Sequence, residues 1–447
     1  MSTMRTQRRR VVVEFSWAGR AIVLACALVS VGCASSVAFK VPRAGADIPC
    51  LVQVPDRDLL VGVAMSGGGS RAALFGAAGL EELAKIPTPS GSSVLEQVSY
   101  ISSVSGGSIA SSYYVLNKPS REVAGLAPDG SMSAEYRAFF ERYRSLLSQD
   151  FETPLIWRQL GSFRWLNSAL AARSLSEILA EKLYGDARIQ DISQREARQD
   201  SPGLIINTTL YNNGRRLAIT TLPPEALRYD FFEDFRESLA RRGLPARIPP
   251  TLEKRWATLL PMSTLDIHMD PCRIRVNGAV TASASFPPVI GPITLQVAGE
   301  ETYWHAGDGD LYENSGFESL VFLFLKRLQE KKTRRALILA FDSSFPFSVG
   351  DRQLSRRAEP FSLLTFDFSR VPSIMEERAS TYQALFFRSL QIEGVFPDSN
   401  TIQVIPLRHL DAKWKDDLSD LPPACRDDKG LRSPEAVMPR WTPQIRP

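Results

Sequence analysis

Cysteine and histidine are scarce in this chain. Its 447 residues include five cysteines and three histidines. No CxxC pair is present and the cysteine count is odd, so neither a metal centre nor a complete disulfide framework is expected. Any histidine-based catalysis must draw on His268, His305 or His409. Long acidic, Gly/Ser and Gln/Asn tracts are missing, which argues against extensive disorder. No repeat recurs at solenoid or propeller periods. No acidic loop has the layout of a calcium site.

Hydrophobic residues make up 44% of the chain and charged residues 23%, as in packed globular proteins. The formal net charge of +4 gives no sign of a nucleic-acid partner. Residues 1–32 alone hold five basic residues and one acidic, so the excess belongs to the leader. Behind the basic stretch, residues 21–31 form an apolar run. It falls short of the roughly 20 residues of a membrane-spanning helix and has the length of a signal-peptide core. The run ends at Gly32-Cys33-Ala34, which resembles the lipobox of bacterial lipoproteins, although Ser30 stands where that pattern usually has Leu. The resemblance implies acylation of Cys33, a membrane tether and a place in the cell envelope. Ala34 after the cysteine implies the outer membrane. A simple secretory signal is the alternative. Of the remaining Cys50, Cys272 and Cys425, one pair can bridge in an oxidising compartment.

Residues 33–57, with Pro42, Gly45, Pro49 and Pro55, read as a tether. From residue 58 onward, the apolar run at 59–65 reads as a strand buried on both faces, 98–104 reads as a strand, and 203–211 and 335–341 read as further buried strands. Helical stretches are expected at 72–84, 108–116 and 317–331, and the section 130–200 reads as mainly helical. Strands alternating with helices predict an α/β fold around a mostly parallel sheet. The aromatic residues at 157–166 read as core, with an interfacial face or lid as the alternative. Residues 346–447 read as a C-terminal extension packing on the core, in which 401–406 has the look of an edge strand.

Three motifs carry chemistry. Ser103-Val104-Ser105-Gly106-Gly107 joins an apolar strand to a helix. A serine on such a sharp turn is exposed for nucleophilic attack, and small neighbours are needed because the turn is strained. The N–H groups at the start of the helix favour developing negative charge. Gly67-Gly68-Gly69-Ser70-Arg71 follows another strand. Consecutive glycines can aim backbone N–H groups at one point, as an oxyanion hole requires. No Gly-Lys-Ser/Thr follows, so it is not a Walker loop. Gly307-Asp308-Gly309-Asp310 puts a carboxylate on a tight loop. His305 is the one histidine placed to serve a triad instead.

In this order, residues 66–83, 100–114 and 307–316 closely resemble the patatin-like phospholipase family over about residues 58–345. Asn207-Thr208-Thr209, Asn213-Gly214-Arg215-Arg216 and the stretch Ala282 to Pro288 add to the likeness. The resemblance implies a three-layer α/β/α fold and a Ser–Asp dyad of Ser105 and Asp308 acting without histidine. It implies an oxyanion loop of Gly67, Gly68, Gly69 and Arg71, no metal or organic cofactor, and membrane lipids as substrates. Two residues depart from the family pattern: Ser103 replaces the first elbow glycine, and Asp310 adds a second carboxylate beside Asp308. The implied activity is a serine lipid acyl hydrolase of the phospholipase A or lysophospholipase kind. The alternatives are a catalytically silent lipid-binding lipoprotein and an acyltransferase using the same acyl-enzyme.

Overall fold

The apolar runs become neighbouring strands of one sheet. The computed structural model describes residues 38–162, 168–245, 247–287, 290–343 and 401–409, with helical fragments at 378–379, 381–382 and 385–386. The expected signal segment 1–32, Cys33, Cys425, Phe163, Trp165, Leu166, Pro288 and most of 346–447 lie outside the described residues. The strands are β1 (Phe39–Val41), β2 (Leu59–Met65), β3 (Val98–Val104), β4 (Gly203–Leu210), β5 (Arg215–Thr220), β6 (Met262–Ser263), β7 (Ile293–Val297), β8 (Trp304–Asp308), β9 (Arg335–Asp342) and β10 (Ile402–Arg408). The helices are α1 (Gly69–Lys85), α2 (Gly106–Asn117), α3 (Ala134–Leu147), α4 (Glu152–Gly161), α5 (Ser168–Leu179), α6 (Ile189–Ala197), α7 (Phe231–Arg241), α8 (Pro250–Leu259), α9 (Val276–Ser283) and α10 (Phe317–Gln329).

The sheet runs β1-β7-β8-β4-β3-β2-β9-β10, with β5 paired to β4 and β6 to β5. From β10 through β4 the neighbours are parallel. Alternation along β2 divides two cores. Val61, Val63 and Met65 pack with residues of α1 and α2, while Leu60 and Ala64 pack with α10. Successive side chains point to opposite faces of a strand, so both faces are covered and the run is apolar throughout. Gly62 lets α10 come close, since a Cβ there would sit 2.9 Å from the Phe324 ring.

Several sequence expectations are corrected. The stretch read as a tether is built into the fold: β1 pairs parallel with β7, Val52 N–H donates to Thr221 O, and Cys50 is disulfide-bonded to Cys272 with Cα atoms 5.4 Å apart. Phe39 and Val41 supply the apolar anchoring. The first helix begins at Gly69, ahead of the expected 72. Core placement fails for Trp157, which is 69% exposed on α4. Residues 402–408 do form a strand, added to the sheet edge beside β9. Among the described residues no helix is long and apolar enough to cross a membrane, and no group of acidic, His or Cys side chains is arranged to hold a metal ion.

Candidate active site

The turn after β3 is the sharp elbow expected from its small residues. Ser105 caps α2 with φ 50° and ψ −120°, a left-handed conformation rare outside glycine. Glycine is required behind it by close approach. A Cβ at Gly106 would overlap the Gly69 carbonyl, and one at Gly107 would lie 2.6 Å from Met65 O. Elbow and glycine-rich loop are therefore pressed together, backbone against backbone. Ser103 is tolerated in place of glycine because its hydroxyl is used: it accepts from Ser108 Oγ at 3.1 Å and from Ser111 Oγ at 2.8 Å.

Asp308 reaches Ser105 through strand register. β4 pairs with β5 along 205–210 on one edge, so β3 and β8 must share the other. β3 occupies it as far as Val104 opposite Asn207, and β8, running the other way, ends with Asp308 opposite Thr208. The two strand ends meet nose to nose. Ser105 Oγ donates to Asp308 Oδ2 at 2.9 Å. The other oxygen, Oδ1, accepts from Asp310 N–H at 3.0 Å, which fixes the carboxylate plane. Burial pushes the Asp308 carboxyl up to about 7, against the lowering effect of its hydrogen bonds from Asp310 and Ser105. Burial likewise raises Asp310 to about 7, helped by the negative charges of Asp308 and Glu313. Beyond them the buried Arg216 lies 3.8 Å from Glu313 and 3.0 Å from Glu318, offsetting part of this negative charge.

His305 does not join Ser105. Its Nδ1 is 3.3 Å from Thr294 Oγ1 on β7, while His268 bonds Glu300 and His409 faces the Asp342 carbonyl.

The glycine-rich loop is held by residues that sequence reasoning missed. Gly67 N–H donates to both the backbone O and Oδ1 of Asn314, each at 2.9 Å. Gly67 is thus an anchor and not an open donor, which corrects its expected place in the oxyanion set. Arg71 Nε donates to Ser343 O at 3.0 Å, and Ser343 N–H donates to Ser66 Oγ at 2.8 Å, tying the loop to the end of β9. Arg71 in this way positions the loop. The N–H groups of Gly68 and Gly69 have no acceptor among the described residues. Ser283, at the end of α9, accepts from Ser105 N–H at 2.9 Å and donates to Asn207 O at 2.6 Å. Asn207 in turn donates to Ser102 Oγ and Ser103 O. The signal for Asn207 was a polar side chain inside a buried strand, since a buried amide must be paired.

A model of patatin-like phospholipase matches residues 63–321. The chain belongs to the patatin-like phospholipase family. That family is one of lipid ester hydrolases, and its fold, a mostly parallel sheet between helical layers with a serine elbow, is the one described above. Among solved structures, human GIVD cytosolic phospholipase A2 is similar at 13% identity and a TM-score of 0.37, covering 64% of this chain and 43% of that one. The same human enzyme in complex with methyl gamma-linolenyl fluorophosphonate and terbium chloride gives 16% identity, a TM-score of 0.34, and 64% and 40% coverage. The chain therefore spans less than half the length of these phospholipases. No curated protein matches it.

Proposed function

We propose that this patatin-like protein is a serine lipid acyl hydrolase acting on phospholipid or lysophospholipid esters through a Ser105–Asp308 dyad. The observation that carries this is the 2.9 Å hydrogen bond from Ser105 Oγ to a buried carboxylate with no histidine between them. Ser105 Oγ attacks the ester carbonyl carbon while its proton passes to Asp308. The carbonyl oxygen gains a negative charge facing the Gly68 and Gly69 N–H groups and the start of α2. Collapse of the tetrahedral intermediate expels the alcohol, protonated by Asp308. Water, giving its proton to Asp308, then attacks the acyl-enzyme, and collapse of the second intermediate releases the fatty acid as Asp308 returns that proton to Ser105 Oγ. A base whose pKa lies near 7 is suited to both transfers.

The proposal extends to location: a lipoprotein tethered to the envelope through Cys33, with the outer membrane as the expected address. Its support is the leader pattern together with the Cys50–Cys272 disulfide, since such bonds persist in oxidising compartments. Labelling with an alkyne fatty acid should mark the wild-type protein and leave Cys33→Ala unmarked.

The test of activity compares purified wild type, Ser105→Ala and Asp308→Asn on phospholipid vesicles, lysophospholipid micelles and short-chain esters. Both variants should lose on the order of 10⁴-fold or more in kcat/KM. A fluorophosphonate should label Ser105 of the wild type. Wild-type rates in Ser105→Ala, or a folded wild type that neither hydrolyses nor labels, would refute the assignment.

A further inference from the structure

A separate cavity of about 510 Å³ lies beside α9, and none of Ser105, Gly68, Gly69 or Asp308 lines it. Its volume is that of a small-molecule or lipid-chain pocket. Its walls are apolar: Leu217 and Ile219 from β5, Ile293 and Leu295 from β7, and Ala279 and Ala282 from α9. The charged lining residues are of nearly one sign: Lys40, Arg173, Arg188, Arg273 and Arg275 against Glu177. Lys40, Arg173, Arg273 and Arg275 are exposed, so the charge lies at the mouth and the apolar surface inside. Arg173, Arg273 and Arg275 have Glu177, Asp270 and Asp186 within ion-pair distance. Lys40 and Arg188 have no carboxylate that close among the described residues.

Gly278 sits in the wall, in the first turn of α9. Glycine is a poor helix former, so helix stability does not explain it. A Cβ at this position would meet no heavy atom within 4 Å. The missing side chain leaves the volume open.

We propose that this cavity binds an anionic amphiphile, with its hydrocarbon chain between β5, β7 and α9 and its carboxylate or phosphate among the basic residues of the mouth. An uncharged hydrocarbon would fill the walls but leave Lys40 and Arg188 without an anionic partner, and a small anion would leave the apolar walls empty. The chemistry is shared by a free fatty acid and an anionic phospholipid.

The full chain is titrated with dansyl-undecanoic acid, and probe fluorescence is followed with oleate, dioctanoyl phosphatidic acid or oleyl alcohol as competitor. Wild type and Ser105→Ala should bind the probe equally, so failure of the hydrolase reading and failure of this one are told apart. Gly278→Phe fills the cavity and should weaken binding by about tenfold or more. The double variant Lys40→Gln/Arg188→Gln should weaken it by about fivefold and reduce the preference for oleate over oleyl alcohol. Displacement by oleate alone assigns the site to fatty acids, and displacement by phosphatidic acid assigns it to phospholipid; both support the proposal. It is overturned if the probe does not bind, if oleyl alcohol competes as well as oleate, or if Gly278→Phe of unchanged melting temperature binds as the wild type does.

Discussion

Ser105 hydrogen-bonds Asp308 where two strands running in opposite directions end against one edge of a third. The pair is separated by 203 residues of chain, yet its geometry is set by the backbone ladder of β4. With Asp308 raised to about 7, its ionised form is lost as pH falls through that value. Only the ionised carboxylate can accept the Ser105 proton. The kcat/KM for a short-chain ester should therefore fall about tenfold per pH unit below about 7 and level off above it. A flat profile from pH 5.5 to 8 would show that Asp308 is not the base.

Asp310 supplies a second charge to the same buried turn. Asp308 raises it, and Coulomb repulsion acts equally in both directions. Asp310→Asn should move the acidic limb of the kcat/KM profile to lower pH while preserving the plateau. The Asp310 N–H that holds Asp308 Oδ1 is unaffected by this substitution. An unmoved limb would mean that the two carboxylates do not sense each other.

Burial also ties these groups to folding. Asp308, Asp310 and the buried Glu196 are each raised to about 7 in the folded chain. Between their unfolded values near 4 and that value, the folded state binds more protons than the unfolded state. Stability should then fall as pH rises through this window. The urea midpoint should be higher at pH 5.5 than at pH 7.5. Asp308→Asn, which stays neutral throughout, should narrow the difference.

Much of this architecture is legible in the sequence because burial on both faces forces continuous apolar runs. That holds for 59–65 and 336–341, whereas 98–104 and 203–211 bury Ser99, Ser102, Ser103, Asn207, Thr208 and Thr209 among their apolar residues. The elbow is legible because strain and close approach admit only small residues around Ser105. Other features depend on partners far along the chain. Nothing local in Trp304 to Asp308 says that the strand will abut β3. Asn314 and Ser343 look like loop residues until the glycine loop folds onto them. Phe39 and Val41 are too few to announce a strand amid prolines. Trp157, exposed on α4, shows that an aromatic residue on a helical pattern need not be core.

Asn314 makes the missed layer testable. Its main-chain and side-chain oxygens both accept from Gly67 N–H, and its Oδ1 occupies the space a Gly67 Cβ would need. Asn314→Ala removes the side-chain acceptor but leaves the main-chain one, so the loop should stay folded while losing its aim. If Gly68 and Gly69 hold the oxyanion, the loss should appear chiefly in kcat, by about 10²-fold, as when an oxyanion donor is misplaced. KM should change little and fluorophosphonate labelling should slow in parallel. Asn314→Asp replaces the amide by an isosteric carboxylate that still accepts from Gly67 N–H, and should recover part of the rate. A KM effect alone would mean that Asn314 shapes substrate access and not the oxyanion loop.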